Sequence, residues 1–244
     1  MKRPLLYLVW LLMAVSIFGT AADTISVYVD TANPPFMYLK DGKAAGIYPA
    51  LIQEAFRHMK VPVDVQAVPW SRALGAIDMG RAGVGGIYKN SERLQKYDYS
   101  DLLYVESLVV YFNTSNPITF NQISDLSGKR VGVLRGWSYG DDFDTARKAE
   151  LFVTEEVGSD EQNFLKLEAM RIDLVIAIVE SGDPLQRKGK NIGCSSIPLS
   201  RNSTFLAFSK SKNCTELLRQ FNQAIAAMKR DGEFEKLVSA ELAK

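Results

Sequence analysis

The sequence predicts an α/β chain folded as two lobes, and three observations predict it. Strands alternate with helices in two successive blocks, one before residue 104 and one after residue 117. Residues 172–179 (IDLVIAIV) are almost wholly apolar, as in a parallel strand covered on both faces. No low-complexity segment or short tandem repeat interrupts the alternation. Two open α/β sheets hold ligands at the carboxyl ends of their strands, so two such lobes face one another across a cleft that a hinge can close.

In the first block, residues 24–30 (TISVYVD) turn Ile25, Val27 and Val29 inward at a strand's period of two. Asp41-Gly42 marks a hairpin tip. Residues 49–60 carry Leu51, Ile52, Ala55, Phe56 and Met59 at helical spacing behind Pro49. A strand at 61–68, a helix at 71–81 and a glycine-rich strand at 82–88 follow, and the glycines allow close backbone approach. After a strand at 107–112, the second block runs as strand 130–134, helix 138–148, strand 151–157 and helix 159–170. Ser159 and Gln162 have capping-box spacing at the last of these. A strand at 204–209, a long amphipathic helix at 215–230 stopped by Asp231-Gly232, and a short helix at 234–242 close the chain.

Lys2 and Arg3, the apolar run 5–18 and the small residues Gly19 to Ala22 have the order of a secretory signal cleaved near Ala22. The run is shorter than the roughly 20 residues that span a bilayer. Export to the periplasm is therefore the expectation. Removing Lys2 and Arg3 from 29 basic residues leaves 27 against 28 acidic ones, a balance that gives no general attraction to nucleic acid or anionic lipid. Two cysteines, Cys194 and Cys214, meet an oxidising compartment, and either a disulfide or two buried thiols fits them.

Two stretches carry the candidate chemistry. GGIYKNSERLQKYDYSDLLY places Arg93 between a strand and an aromatic-acidic turn, and GKRVGVLRGWSYGDDF runs a strand into a Gly-Trp-Ser turn that opens a helix. A guanidinium and a helix start both favour an anion, so a solute bearing a carboxylate is expected. The alternative for Arg93 is a surface pair with Glu92 or Asp98. Asp141, Asp142 and Asp144 resemble a metal cluster but sit where a helix dipole favours acids, and no metal is expected there. His58, the sole histidine, reads as a half-exposed helix residue. No HExxH, CxxC, phosphate-cradling loop or nucleophile turn occurs, so no cofactor and no catalytic residue is assigned.

The segments NPPFMY, GIYPALIQEAF, VPWSRALGAI, SERLQKYDYSDLLY, DLSGKRVGVLRGWSYG, MRIDLVIAI and MKRDGEFEKLV resemble, in that order, the family 3 periplasmic solute-binding proteins. The resemblance implies a two-lobed type II periplasmic-binding-protein fold that acts as a monomer and feeds an ABC importer or, alternatively, a membrane signalling partner. It divides the chain into lobe 1 (23–107 and 202–244) and lobe 2 (108–201), hinged by two crossing strands. Arg93 would bind the ligand carboxylate with the backbone at Trp137 and Ser138, and Trp70 would stack on the ligand. Phe36, Tyr38, Tyr88 and Arg72 are further ligand candidates beside the same cleft, with Phe36 open to packing beneath it and Arg72 to a solvated helix face; Tyr48 and Tyr139 are weaker ones. Ile178 stands where the family places an ammonium-binding aspartate. Glu180, two residues on and on the same side of a continuing strand, is the expected substitute, unless the solute lacks an ammonium. Some relatives of this fold are dehydratases, and in such a role Glu180 would be the acid or base.

Overall fold

The computed structural model describes residues 24–244; the secretory-signal reading lies outside the described residues. The chain order is β1 (Ile25–Val29), β2 (Ala32–Asn33), β3 (Met37–Lys40), β4 (Lys43–Ala45), α1 (Ile47–Met59), β5 (Val63–Ala67), α2 (Trp70–Asp78), β6 (Gly83–Tyr88), α3 (Ser91–Lys96), β7 (Tyr97–Tyr99) and β8 (Tyr104–Asn113). It continues with β9 (Arg130–Leu134), α4 (Asp141–Lys148), β10 (Val153–Val157), α5 (Asp160–Glu168), β11 (Leu174–Ile178), α6 (Val179–Lys188), β12 (Ile192–Cys194), β13 (Ser200–Ser209), α7 (Thr215–Arg230) and α8 (Glu233–Leu242).

One sheet runs β10-β9-β11-β8-β13-β6-β1-β5, with β12 on β8 and β7 on β13. Each end is a parallel trio, β5-β1-β6 and β10-β9-β11, because α1 and α2, or α4 and α5, supply the crossovers that parallel neighbours need. The centre is antiparallel. Residues 104–108 of β8 pair with 200–204 of β13, then β8 turns to β11 and β13 turns to β6. Two long strands thus join the halves. The fully buried β6 and β11 carry the apolar or glycine-rich sequences that burial on both faces demands.

The hairpin at Asp41-Gly42 forms as expected, with φ of 49° and 75° and Lys40 opposite Lys43. At Gly86 the register of β6 against β13 slips, and Gly86 takes φ 74° as the extra residue of a bulge. The bulge swings Tyr88 toward the aromatic cluster described below. A Cβ at Gly86 would sit 2.5 Å from the Tyr48 ring and 3.1 Å from the Met37 sulfur. Gly86→Ala therefore combines a left-handed backbone with overpacking and should cost about 2–4 kcal/mol of stability. An unchanged urea midpoint would refute that account.

Three sequence expectations need correction. The helix expected over 138–148 begins at Asp141, because Gly136 (φ 73°) and Gly140 (φ 103°) hold residues 135–140 as a loop. That loop is pinned by the Leu134 N–H, which donates to the Tyr139 hydroxyl at 2.7 Å. Ser159 starts α5 without a side-chain bond, since Gln162 Oε1 instead accepts from Gly158 N at 3.0 Å. The strand expected to run to 179 stops at Ile178, where α6 begins. Gly182 and Pro184 disguise α6 in the sequence. Gly182 is needed because a Cβ there would lie 2.5 Å from the Tyr111 ring, while Pro184 costs the helix one backbone donor.

Candidate functional site

The site is assembled around two indoles. Trp70 opens α2 behind Pro69, and Trp137 hangs from the loop after β9. Their ring centroids lie 5.9 Å apart at 48°, and Tyr88, at the end of β6, meets Trp137 edge-on at 6.3 Å. Both indoles are only 6% exposed. Trp70, Tyr88, Trp137, Ser138 and Arg93 enclose a narrow gap between the two halves of the sheet.

Arg93 supplies the charge. The Asn90 side chain caps α3 by accepting from Arg93 N at 2.8 Å, which sets the first turn and aims the Arg93 side chain inward. Arg93 is 9% exposed, and its Nη1 donates to the Tyr88 carbonyl at 3.2 Å. Among the described residues no carboxylate lies within ion-pair distance of it, and Glu92 is taken by Lys96 at 2.8 Å. The surface-pair reading of Arg93 therefore fails. Burial pushes its pKa down, the sign of a cation short of an anion. Beside it lies a cavity of about 380 Å³ bordered by Tyr97, Trp137, Ser138, Asp141 and Lys148.

Polar contacts tie the two sides together. Asn90 Nδ2 donates to Ser138 Oγ at 3.3 Å, and Ser91 donates to Asp141 through N (3.2 Å) and Oγ (2.8 Å). Ser138 in turn donates to Asp144, and Trp137 Nε1 donates to Asp30 Oδ2 at 3.0 Å. Farther along, Ser181 Oγ reaches Asn33 Oδ1 at 2.9 Å and the Pro34 carbonyl at 2.8 Å. As expected, Asp141, Asp142 and Asp144 occupy the first turn of α4, and two of them accept protein donors.

Sequence reasoning missed the acids of the site. Asp30 follows β1, is buried, and borders a cavity of about 270 Å³ with Trp70, Trp137 and Arg135. Desolvation raises its pKa, opposed by the bonds from Trp137 and the Thr31 backbone. Asp160, at the start of α5, is pushed up to about 7 by burial and then by Glu161 and Asp30. The carboxyl end of β1 is where a ligand belongs in such sheets, and that rule alone would have flagged Asp30.

A third acid lies under the aromatic cluster. Glu106, 1% exposed on β8, accepts from both the Tyr48 and Tyr88 hydroxyls. Burial raises it to about 8, partly opposed by the two hydroxyls, with Glu180 adding to the rise.

Other expected site residues lie elsewhere. Phe36 is fully buried and stacks on Tyr48 (5.6 Å) and Tyr104 (5.4 Å), so it packs beneath the cleft. Tyr38 pairs with Ala32 and Ala45 in the small sheet β2-β3-β4 and does not line the gap around the indoles. Arg72 is exposed on α2. The hydroxyl of Tyr88 is spent on Glu106, leaving its ring face as the part near the gap. Glu180 sits in the first turn of α6 rather than on a strand, and accepts from Tyr104 at 3.1 Å. It therefore does not share a strand face with Ile178. Cys194 and Cys214 are free. The ten-residue β13 separates them, roughly 33 Å of extended chain, so no bridge forms.

A sheet parted into two α/β halves around a buried guanidinium without an ion-pair partner among the described residues and two tilted indoles in contact defines a class of protein that binds small solutes. Residues 25–240 match the model of the bacterial extracellular solute-binding proteins, family 3, and the chain belongs to that family. The chain is similar to the L-cystine-binding protein TcyJ of Escherichia coli (strain K12), 25% identical over 218 residues covering 88% of this chain and 80% of the relative. Among solved structures it is similar to a histidine kinase sensor domain resembling periplasmic binding proteins (TM-score 0.80, 20% identity, 91% of this chain and 97% of the other). It is also similar to an ancestral arginine-binding protein bound to arginine (TM-score 0.77, 21% identity, 90% and 98%). The fold class and family expected from the sequence both hold.

Proposed function

We propose that this protein is an exported, monomeric receptor that closes on a small carboxylate-bearing solute, an amino acid or a related metabolite, and delivers it to an ABC importer. The carrying observation is Arg93, buried with one protein bond and no ion-pair partner among the described residues. A buried cation without an anion is costly, and a ligand carboxylate accepting two of its parallel donors removes that cost. Residues 23–107 with 202–244 form one lobe and 108–201 the other, and β8 and β13 are the hinge. The register supports this division, since both strands change partners at Leu108 and Thr204. Solute contacts made from both lobes favour the shut state.

Ile178, 2% exposed, offers no charge to an ammonium. Asp30 is the buried acid facing the same indole pair, and a cationic end of the solute belongs there. A sensor role with a membrane signalling partner is the second reading, supported by the shared fold with a kinase sensor domain. No catalytic role is assigned to Glu180, which accepts from Tyr104 at 3.1 Å.

A thermal-shift screen over amino acids including cystine, organic acids, and amines tests the reading, because a ligand raises stability by mass action. Hits should all carry a carboxylate. Hits confined to carboxylate-free amines would overturn it. Solute uptake by cells lacking the protein separates importer from sensor.

A further inference from the structure

We propose that Glu54, His58 and Glu233 form a binding site for a zinc-class divalent cation where α1 meets α8. Glu54 and His58 are four residues apart and share one face of α1, while Glu233 is the first residue of α8. One ligand atom from each lies within 4.8 Å of the others. His58 Nε2 is 2.7 Å from Glu233 Oε2 and 3.4 Å from Glu54 Oε1.

Two carboxylates converging on one ring nitrogen are the key observation. That nitrogen carries at most one hydrogen, which points well at only one acceptor. A cation between the three groups satisfies both carboxylates and the nitrogen together. Zinc bonds of about 2.0–2.2 Å in tetrahedral array put ligand atoms roughly 3.3 Å apart. The His58–Glu54 spacing of 3.4 Å already fits. Glu233 must withdraw by about 0.6 Å to reach that separation. Its side chain is 34% exposed and has room to do so.

Arg57 is the resident competitor. It bonds Glu54 through Nε at 2.7 Å and through Nη2, and lies 3.8 Å from Glu233 Oε1. Both bonds fall on Glu54 Oε1, the oxygen nearest His58, so a metal must draw that oxygen from Arg57 or take Oε2 after a turn of the carboxylate. The contact to Glu233 is with Oε1, the oxygen turned from His58, and can persist as an outer contact. One imidazole with two carboxylates suits zinc and neighbouring first-row ions, whereas calcium and magnesium want an all-oxygen set. The bound ion would staple the last helix to α1, away from the solute cleft. Only the tertiary fold brings Glu233 to the pair on α1, so the sequence assigned His58 no ligand role.

The test uses untagged protein carrying Cys194→Ser and Cys214→Ser, since thiols also take zinc. Calorimetry with zinc chloride should show one ion per chain, and saturating zinc should raise Tm by about 3 °C or more. Magnesium and calcium should leave Tm unchanged. His58→Ala and Glu233→Gln, each checked for an unaltered metal-free circular dichroism spectrum, should weaken zinc binding at least tenfold; His58→Gln serves if the alanine variant unfolds. Absence of zinc binding, or a zinc shift that survives both substitutions, would overturn the site and leave His58 as an ion-pair partner only.

Discussion

Arg93→Ala is expected to weaken binding of a carboxylated solute by two to three orders of magnitude and leave the unliganded protein folded. The guanidinium makes one protein bond, to the Tyr88 carbonyl, and has no carboxylate partner among the described residues. Two charge-assisted bonds to a ligand carboxylate in a desolvated gap are together worth about 3–5 kcal/mol. Stability should respond differently. Removing a buried, unpaired charge relieves its desolvation and offsets the lost packing of the arginine stem, so the unliganded Tm should change little. Arg93→Lys keeps the charge but loses the planar fork, and an intermediate loss is expected. Titration calorimetry of the three proteins with a solute found by the screen decides the matter. Equal affinity in the alanine variant removes the carboxylate from Arg93.

The second large effect is on stability against pH. Glu106 ordinarily titrates at 4.5 and is raised to about 8 by burial, with Tyr48 and Tyr88 opposing the rise and Glu180 adding to it. Between those values the folded chain holds a proton that the unfolded chain releases, so stability falls as pH climbs from about 4.5 to 8 and levels off above. At 1.36 kcal/mol per unit the total is roughly 3–5 kcal/mol. Asp160, raised to about 7, contributes with the same sign.

Glu106→Gln mimics the protonated acid. Its carbonyl can accept from one tyrosine while its amide donates to the other. The variant should match the parent near pH 5 and exceed it by about 2–4 kcal/mol at pH 8 in urea unfolding. If it is no more stable than the parent at pH 8, Glu106 is not the buried neutral acid described.

Local patterns were legible where a single element supplies its own evidence. The expected strand over 130–134 and helix over 215–230 match β9 and α7 end to end, because periods of two and 3.6 report one buried face each. The short α3 was not read as a helix, although Asn90 caps it, since six residues hardly show a period. Glycine and proline masked α6, whose packing against Tyr111 requires the glycine. Among the expected site residues, Arg93, Trp70, Trp137 and Ser138 line one gap. Phe36 and Arg72 take the alternatives left open for them, packing beneath the cleft and a solvated helix face, and Tyr38 does not line the gap.

Family and fold class follow from the order of motifs, and the positive charge at residue 93 from its residue type, properties a chain carries before it folds. Depth does not. A strand's alternation says which side Glu106 faces, yet only the packing of α1 and β6 over β8 encloses it with two phenols and so shifts its titration. Contacts such as Trp137 to Asp30, 107 residues apart, arise from the meeting of the two sheet halves, and that meeting is decided by side-chain fit across a gap no local pattern encodes.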